Sequence, residues 1–148
     1  MTLTIRAYHD DDWPLICQIH DLARPDELRG SCDPRAFVPI ERDQEVEHLR
    51  LCQKQVAIMN DQIVGFVGIH EGYLGWLYVH PDHYGMGIGR KLLQTGLKLI
   101  NGNAWTIVLA GNTRAIDLYQ SEGFSEINWY KSDNAGYACT CIRLETKN

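Results

Sequence analysis

Three glycines at alternate positions, Gly85, Gly87 and Gly89, stand between a strand pattern and the strongest helix pattern of the chain. Tyr73 to Val79 reads as a strand that ends at His80-Pro81. From Gly87 to Ile100, the apolar residues Ile88, Leu92, Leu93, Leu97 and Ile100 follow helical spacing. Glycine admits positive φ and lets a ligand come close to the backbone. The first turn of a helix has amides with no internal partner, and its dipole favours an anion. A strand–glycine turn–helix unit of this kind is built to hold a phosphate through the main chain. It is not a Walker loop, since no G-x-x-x-x-G-K-[ST] run occurs. Nor is it a dinucleotide fingerprint, which needs G-x-G-x-x-G after a first strand.

The rest of the pattern places that unit in the middle of a mixed chain. Leu3 to Tyr8 alternates as a first strand, and a helix starts at Trp13-Pro14 after the acidic run His9 to Asp12. Ile16, Ile19, His20 and Ala23 share a helix face. Arg24 to Pro39 carries three prolines and reads as a long loop, followed by a short helix over Arg42 to Cys52. Gln55 to Met59 and Gln62 to His70 read as a hairpin about Asn60-Asp61. After the glycine unit come a strand over Trp105 to Ala110 and a helix over Asn112 to Glu122, closed by Gly123. Strands over Phe124 to Lys131 and Tyr137 to Leu144 follow, joined by the turn Ser132 to Gly136. Trp13, Trp76 and Trp129 are expected mostly in the core. No linker or repeat divides the order, so residues 1–148 are expected to form one mixed α/β domain.

Composition excludes several partners. The formal net charge is -5 and no basic stripe is present, which argues against nucleic acid. No run of about 18 apolar residues exists, so no membrane span is expected, and the N-terminus lacks a signal peptide's apolar core. The expectation is a cytoplasmic protein, monomer or homodimer. Cys17, Cys32, Cys52, Cys139 and Cys141 are then free thiols, not a disulfide frame. His80-Pro81-Asp82-His83 shows no third metal ligand and reads as a surface turn, so no metal is expected.

Two motifs together carry a resemblance. Val79-x-Pro81 followed by Tyr84-Gly85-Met86-Gly87-Ile88-Gly89-Arg90-x-Leu92-Leu93 resembles the acyl-CoA-binding motif of the GNAT superfamily of N-acetyltransferases. Asn112-x-x-Ala115-x-x-Leu118-Tyr119-x-x-x-Gly123-Phe124 resembles its second signature. The resemblance implies a three-layer fold: a twisted mixed sheet of about seven strands, splayed between the fourth and fifth, with about four helices. It implies acetyl-CoA as co-substrate in the splay. The pyrophosphate would lie on amides of Tyr84, Gly85, Met86, Gly87, Ile88, Gly89 and Arg90. The pantetheine arm would run along Leu77, Tyr78 and Val79, with Asn112, Ala115 and Tyr119 beside it. The family usually carries Gln or Arg where Tyr84 stands. The backbone amides remain, so binding is expected to survive with a weaker phosphate contact.

The implied chemistry is direct attack of a primary amine on the thioester in a ternary complex. The amine is a small molecule or a peptide, and no protein nucleophile is needed. Tyr119 is the candidate acid, because the resemblance places it at the CoA sulfur and a phenol is protonated at neutral pH. Counting back along the fourth strand to the family's base position reaches Tyr73, a poor base at its ordinary pKa. Glu71, two residues earlier on the same strand face, is the first choice, acting through water. The acceptor wall is expected from the first two helices, the Arg24 to Pro39 loop and the Ser132 to Gly136 turn. Asp26, Glu27, Asp33 and Glu41 are its candidate contacts for a cationic amine. A non-catalytic acyl-CoA sensor on the same scaffold, and a domain that binds ATP or NAD, are the competing readings.

Overall fold

The computed structural model describes residues 2–147; Met1 and Asn148, the ends of the expected domain, lie outside the described residues. The strands are β1 (Leu3–Ala7), β2 (Gln53–Met59), β3 (Gln62–His70), β4 (Tyr73–Val79), β5 (Trp105–Leu109), β6 (Phe124–Asn134) and β7 (Tyr137–Thr146). The α-helices are α1 (Trp13–Leu28), α2 (Val46–Leu51), α3 (Ile88–Lys98) and α4 (Thr113–Ser121). One sheet takes the order β1-β2-β3-β4-β5-β7-β6. All neighbours are antiparallel except β4 and β5, which are parallel and paired only at Tyr73 and Trp105.

Side-chain alternation sorts the core onto the two sheet faces. Val56 and Phe66 pack with Ile16, Cys17 and Ile19 of α1 and Leu49 of α2. Their neighbours Ala57 and Val67 point the other way, to Ile88, Leu92 and Leu93 of α3 and Tyr119 of α4. The three layers expected from the resemblance are present, with α1 and α2 on one face of the sheet and α3 and α4 on the other. Phe66 is 0% exposed between sheet and α1. Phe66→Ala removes the largest of these fully buried side chains and should cost about 3–5 kcal/mol. At about 2–4 °C per kcal/mol for a chain of this size, a melting curve should show a fall of roughly 10 °C. A drop smaller than about 3 °C would mean that this layer does not hold the fold together.

Three expectations need correction. α1 does not stop at Arg24 but runs through Pro25 to Leu28. Proline normally disrupts a helix interior; here Leu28 is buried, and the pairs Arg24–Glu27 and Arg29–Asp26 cross-link the last turn. The supposed loop beyond it contains two short 3-10 turns, at Pro34–Ala36 and Ile40–Arg42. The β6–β7 ladder extends to Asn134 opposite Tyr137. Its turn is only Ala135 and Gly136, both at positive φ, the geometry of a two-residue hairpin. Trp129 is not in the core: it is exposed on β6, the last strand of the sheet, while Trp13 and Trp76 are half-buried. No helix among the described residues is long and apolar enough to cross a membrane.

Candidate active site

The splay begins at a bulge in β4. Between the pairs Gly68–Gly75 and Phe66–Tyr78, β3 advances two residues while β4 advances three. The extra residue shifts the alternation, so Leu74 and Leu77 face the same cluster. Trp76 takes φ +52° there, a conformation that bulky residues rarely adopt. Its ring lies between His20 of α1 and His48 of α2, and its Nε1–H donates to His48 Nδ1 at 3.0 Å. Tyr73 folds over the same bulge. Its hydroxyl would be 1.9 Å from any Cβ at Gly75, and it accepts from the Trp76 amide. Any larger residue at position 75 would displace the Tyr73 phenol from this place. After Tyr73, β4 has no ladder partner on its β5 side, so main-chain groups of that edge face an open cleft of about 1130 Å³.

The glycine turn forms one end of this cleft. Gly85 and Gly87 have φ +78° and +80°, and no atom lies within 4 Å of a Cβ built at either, so backbone conformation alone demands glycine. Gly87 caps α3, and the first amide bonded back to it is that of Lys91. The amides of Ile88, Gly89 and Arg90 thus lack intrahelical partners. Gly89 has ordinary φ, and a Cβ there would make normal contact with Leu118 and Val79. Ile88 is buried and offers only its main chain, and Met86 is exposed and off the cleft wall. The Arg90 guanidinium turns away to Ser121 and Glu122.

Tyr84, in the family's Gln or Arg position, donates from its hydroxyl to Asp26 Oδ2 at 2.9 Å. Burial, and then that carboxylate, push its phenol up to about 12. Arg114 lies 4.6 Å above its ring and lines the cleft. Sequence reasoning missed Arg114, although it occupies an unassigned position inside the second motif. Its guanidinium thus places a positive charge on the aromatic face beside the glycine turn.

α4 and β5 bring in Asn112 and Tyr119. Asn112 caps α4, accepting from the Ala115 amide at 3.4 Å. Tyr119 is 4% exposed, packs edge-on against Phe124 and hydrogen-bonds with the buried Thr106. Burial first, and then the charge of Glu27, raise its phenol above the ordinary range, while Thr106 opposes the rise. Tyr73 is raised chiefly by burial and then by Tyr119, so the two phenols sense each other across the cleft. Leu77, Tyr78, Val79, Ala115 and both phenols line it. The Tyr78 ring turns to the α1 side, against His20 and Phe66.

Asp26 and Glu27, near the end of α1, and the hairpin residues Ser132 to Gly136 line the cleft. Asp33 and Glu41 do not: Asp33 is tied to Arg35, and Glu41 accepts from Trp13. Glu71 lies exposed in the β3–β4 turn at φ +56°, outside the cleft wall. The expectation of a base there is corrected by this placement, because the turn carries Glu71 past the end of the strand face. His80 caps the turn Pro81–His83, accepting from the Asp82 amide at 3.1 Å.

The Acetyltransferase (GNAT) domain family model matches residues 50–126. The chain is 30% identical to the N-acetyltransferase YafP of Escherichia coli over 99 residues, 65% of this chain and 66% of that protein. It is 33% identical to the peptidyl-lysine N-acetyltransferase YjaB of Salmonella typhimurium over 84 residues, 57% of each. The chain thus matches less than two thirds of the length of these relatives. The PaiA N-acetyltransferase of Thermoplasma acidophilum, solved with coenzyme A, superposes with TM-score 0.78 over 100% of both chains at 17% identity, a likeness of fold. The chain belongs to the GNAT family of acetyltransferases.

Proposed function

We propose that the chain transfers an acetyl group from acetyl-CoA to a primary amine by direct attack in a ternary complex. The observation that carries this is the single cleft joining the free amides of α3, the unpaired edge of β4 and the Tyr119 phenol. The amides from Gly85 to Arg90, aided by Arg114, hold the pyrophosphate. Leu77, Tyr78 and Val79 pair through their main chain with the pantetheine amides, and Asn112 and Ala115 flank the arm. The amine nitrogen bonds to the thioester carbon and the C–S bond breaks. Tyr119, kept protonated by its burial, gives its proton to the departing thiolate. Tyr73 acts on the backbone, holding the Trp76 bulge open beside the thioester. The acceptor is a small-molecule or peptide amine, in line with the peptidyl-lysine activity by which YjaB is named.

Thermal shift and thiol release test this reading. Acetyl-CoA at 100 times its Kd should stabilise the chain by about 2.7 kcal/mol. Thiol should appear when a diamine, a polyamine, a peptide with a free α-amine or an Nα-blocked lysine peptide is added. A shift with ATP or NAD and none with acetyl-CoA would overturn the donor. Binding without thiol release for any amine would leave a sensor.

A further inference from the structure

The acceptor ammonium must lose a proton before it can attack, and among the carboxylates lining the cleft Glu27 is the one held by two donors through a single oxygen. The last turn of α1 places Glu27 on the amine side, with its side chain 25% exposed. Both of its hydrogen bonds fall on one oxygen. Tyr78 donates its hydroxyl to Oε1 at 2.6 Å, and Arg24 Nη1 donates to the same atom. Arg24 is itself fixed by Asn134 of the hairpin, at 3.0 Å from Nη2. Among the described residues no hydrogen bond reaches Oε2, and it is not one of the atoms sealed from solvent without a partner. A carboxylate clamped through one oxygen, with the other open to the cleft, is pre-organised for a proton acceptor.

The other groups nearby are either engaged elsewhere or less firmly held. Asp26 has both oxygens engaged, by Arg29 and Tyr84. His48 accepts at Nδ1 from Trp76, which leaves its neutral ring with the proton on Nε2, a donor. His20 is 3% exposed and turns Nδ1 to Asp21. Asp43 and Asp133 each cap a backbone amide of a surface turn through one oxygen, and Asp133 and Glu45 are exposed, without the two-donor clamp that fixes Glu27.

We propose that Glu27 is the catalytic base, its Oε2 taking the proton of a primary ammonium acceptor held beside it. This rests on the acetyltransferase reading above. Oε2 first takes one proton from the ammonium and passes it to solvent, and the neutral nitrogen then attacks the thioester carbon. The nitrogen, now bonded to that carbon, gives its second proton to Oε2, the C–S bond breaks, and the thiolate takes the Tyr119 proton. Glu27 releases this second proton to solvent, and Tyr119 regains one. Acid and base line the same cavity, Glu27 from α1 and Tyr119 from α4.

The test is Glu27→Gln, which keeps an oxygen for Tyr78 and Arg24, assayed with whichever of the four named amines the unmutated chain turns over fastest. At pH 7, kcat should fall about 100-fold or more, with the acetyl-CoA thermal shift unchanged. The deficit should shrink towards pH 9.5, where more of an amine with pKa near 10.4 is already neutral. The groups facing Glu27 leave that window clear. From α1, burial holds His20 below its usual range and Arg24 is raised. From β4, the turn and α4, the phenols of Tyr78, Tyr84 and Tyr119 are raised, beside the guanidinium of Arg114. Asp26 and Asp133 also line the cavity, as do Arg42, Asp43, Glu45, His48 and His83. A kcat within about threefold of the unmutated value, an equal deficit at pH 7 and 9.5, or a lost acetyl-CoA shift would each overturn the assignment. No thiol release from the unmutated chain would instead overturn the transferase reading, and the assignment with it.

Discussion

Gly87→Val should abolish acetyl-CoA binding while the chain still folds. Gly87 caps α3 at φ +80°, where a β-branched residue is strained by about 1–3 kcal/mol. The strain has a local outlet. No atom lies within 4 Å of the new Cβ, so valine meets no core clash, and Ile88, Leu92 and Leu93 still anchor the helix. The backbone relieves itself by rotating out of the left-handed region, which turns the amides of Ile88 and Gly89 off the phosphate. Hydrogen bonds to a charged group contribute about 1.5–3 kcal/mol each. Losing two weakens Kd by at least roughly 100-fold. In a thermal-shift titration, the variant should melt a few degrees lower and not respond to acetyl-CoA. Gly89→Ala is the graded comparison: with ordinary φ and a Cβ in normal contact with Leu118 and Val79, it should weaken binding far less. Equal responses from both variants, or a full response from Gly87→Val, would show that the turn is not the phosphate site.

That contrast among glycines was only partly legible in the sequence. The G-x-G-x-G spacing marks the turn, but it does not distinguish the two glycines needed for φ from the one that faces a neighbouring helix. β3 and β4 match the residues expected, because turn residues bound them: Asn60 and Asp61 before β3 and Glu71 between the two strands all take positive φ. α1 was read short because proline is a strong breaker, and only the tertiary burial of Leu28 outweighs it. The hairpin turn was read long because Ser132, Asp133 and Asn134 are turn formers, yet the ladder with β7 recruits them. The bulge at Trp76 has no composition signal at all, since it places a bulky residue where glycine is the usual choice. The proposed cofactor side is built from contiguous motifs and could be read in order. The wall proposed for the amine joins Glu27 to Tyr78, 51 positions away, and Arg24 to Asn134, further still, and no local pattern announces such a convergence.

Tyr119→Phe separates the two proton transfers that the cleft supports. Phenylalanine keeps the edge-on packing with Phe124, so the α4 wall should stand. What goes is the phenol proton and the hydrogen bond with Thr106. A buried hydroxyl left unpaired costs about 1–3 kcal/mol, so some loss of melting temperature is expected and must not be mistaken for chemistry. Thr106→Val is the control: it breaks the same hydrogen bond but leaves the phenol, and it should keep most of the rate. General acid assistance contributes about 100- to 10,000-fold. The departing group here is a thiolate, whose parent thiol has a pKa near 8.5, so the loss from Tyr119→Phe belongs at the lower end, about 100-fold in kcat. The response to acetyl-CoA should be retained. Burial raises the Tyr119 pKa, so the acid form persists from pH 7 to 9.5 and the unmutated chain should show no decline there on its account. Raising the pH supplies neutral amine but not a proton for the leaving group. It should therefore restore Glu27→Gln and leave Tyr119→Phe impaired. If alkaline pH rescues both alike, or if Thr106→Val is as slow as Tyr119→Phe, the phenol is not the acid and its place in the cleft is a matter of packing.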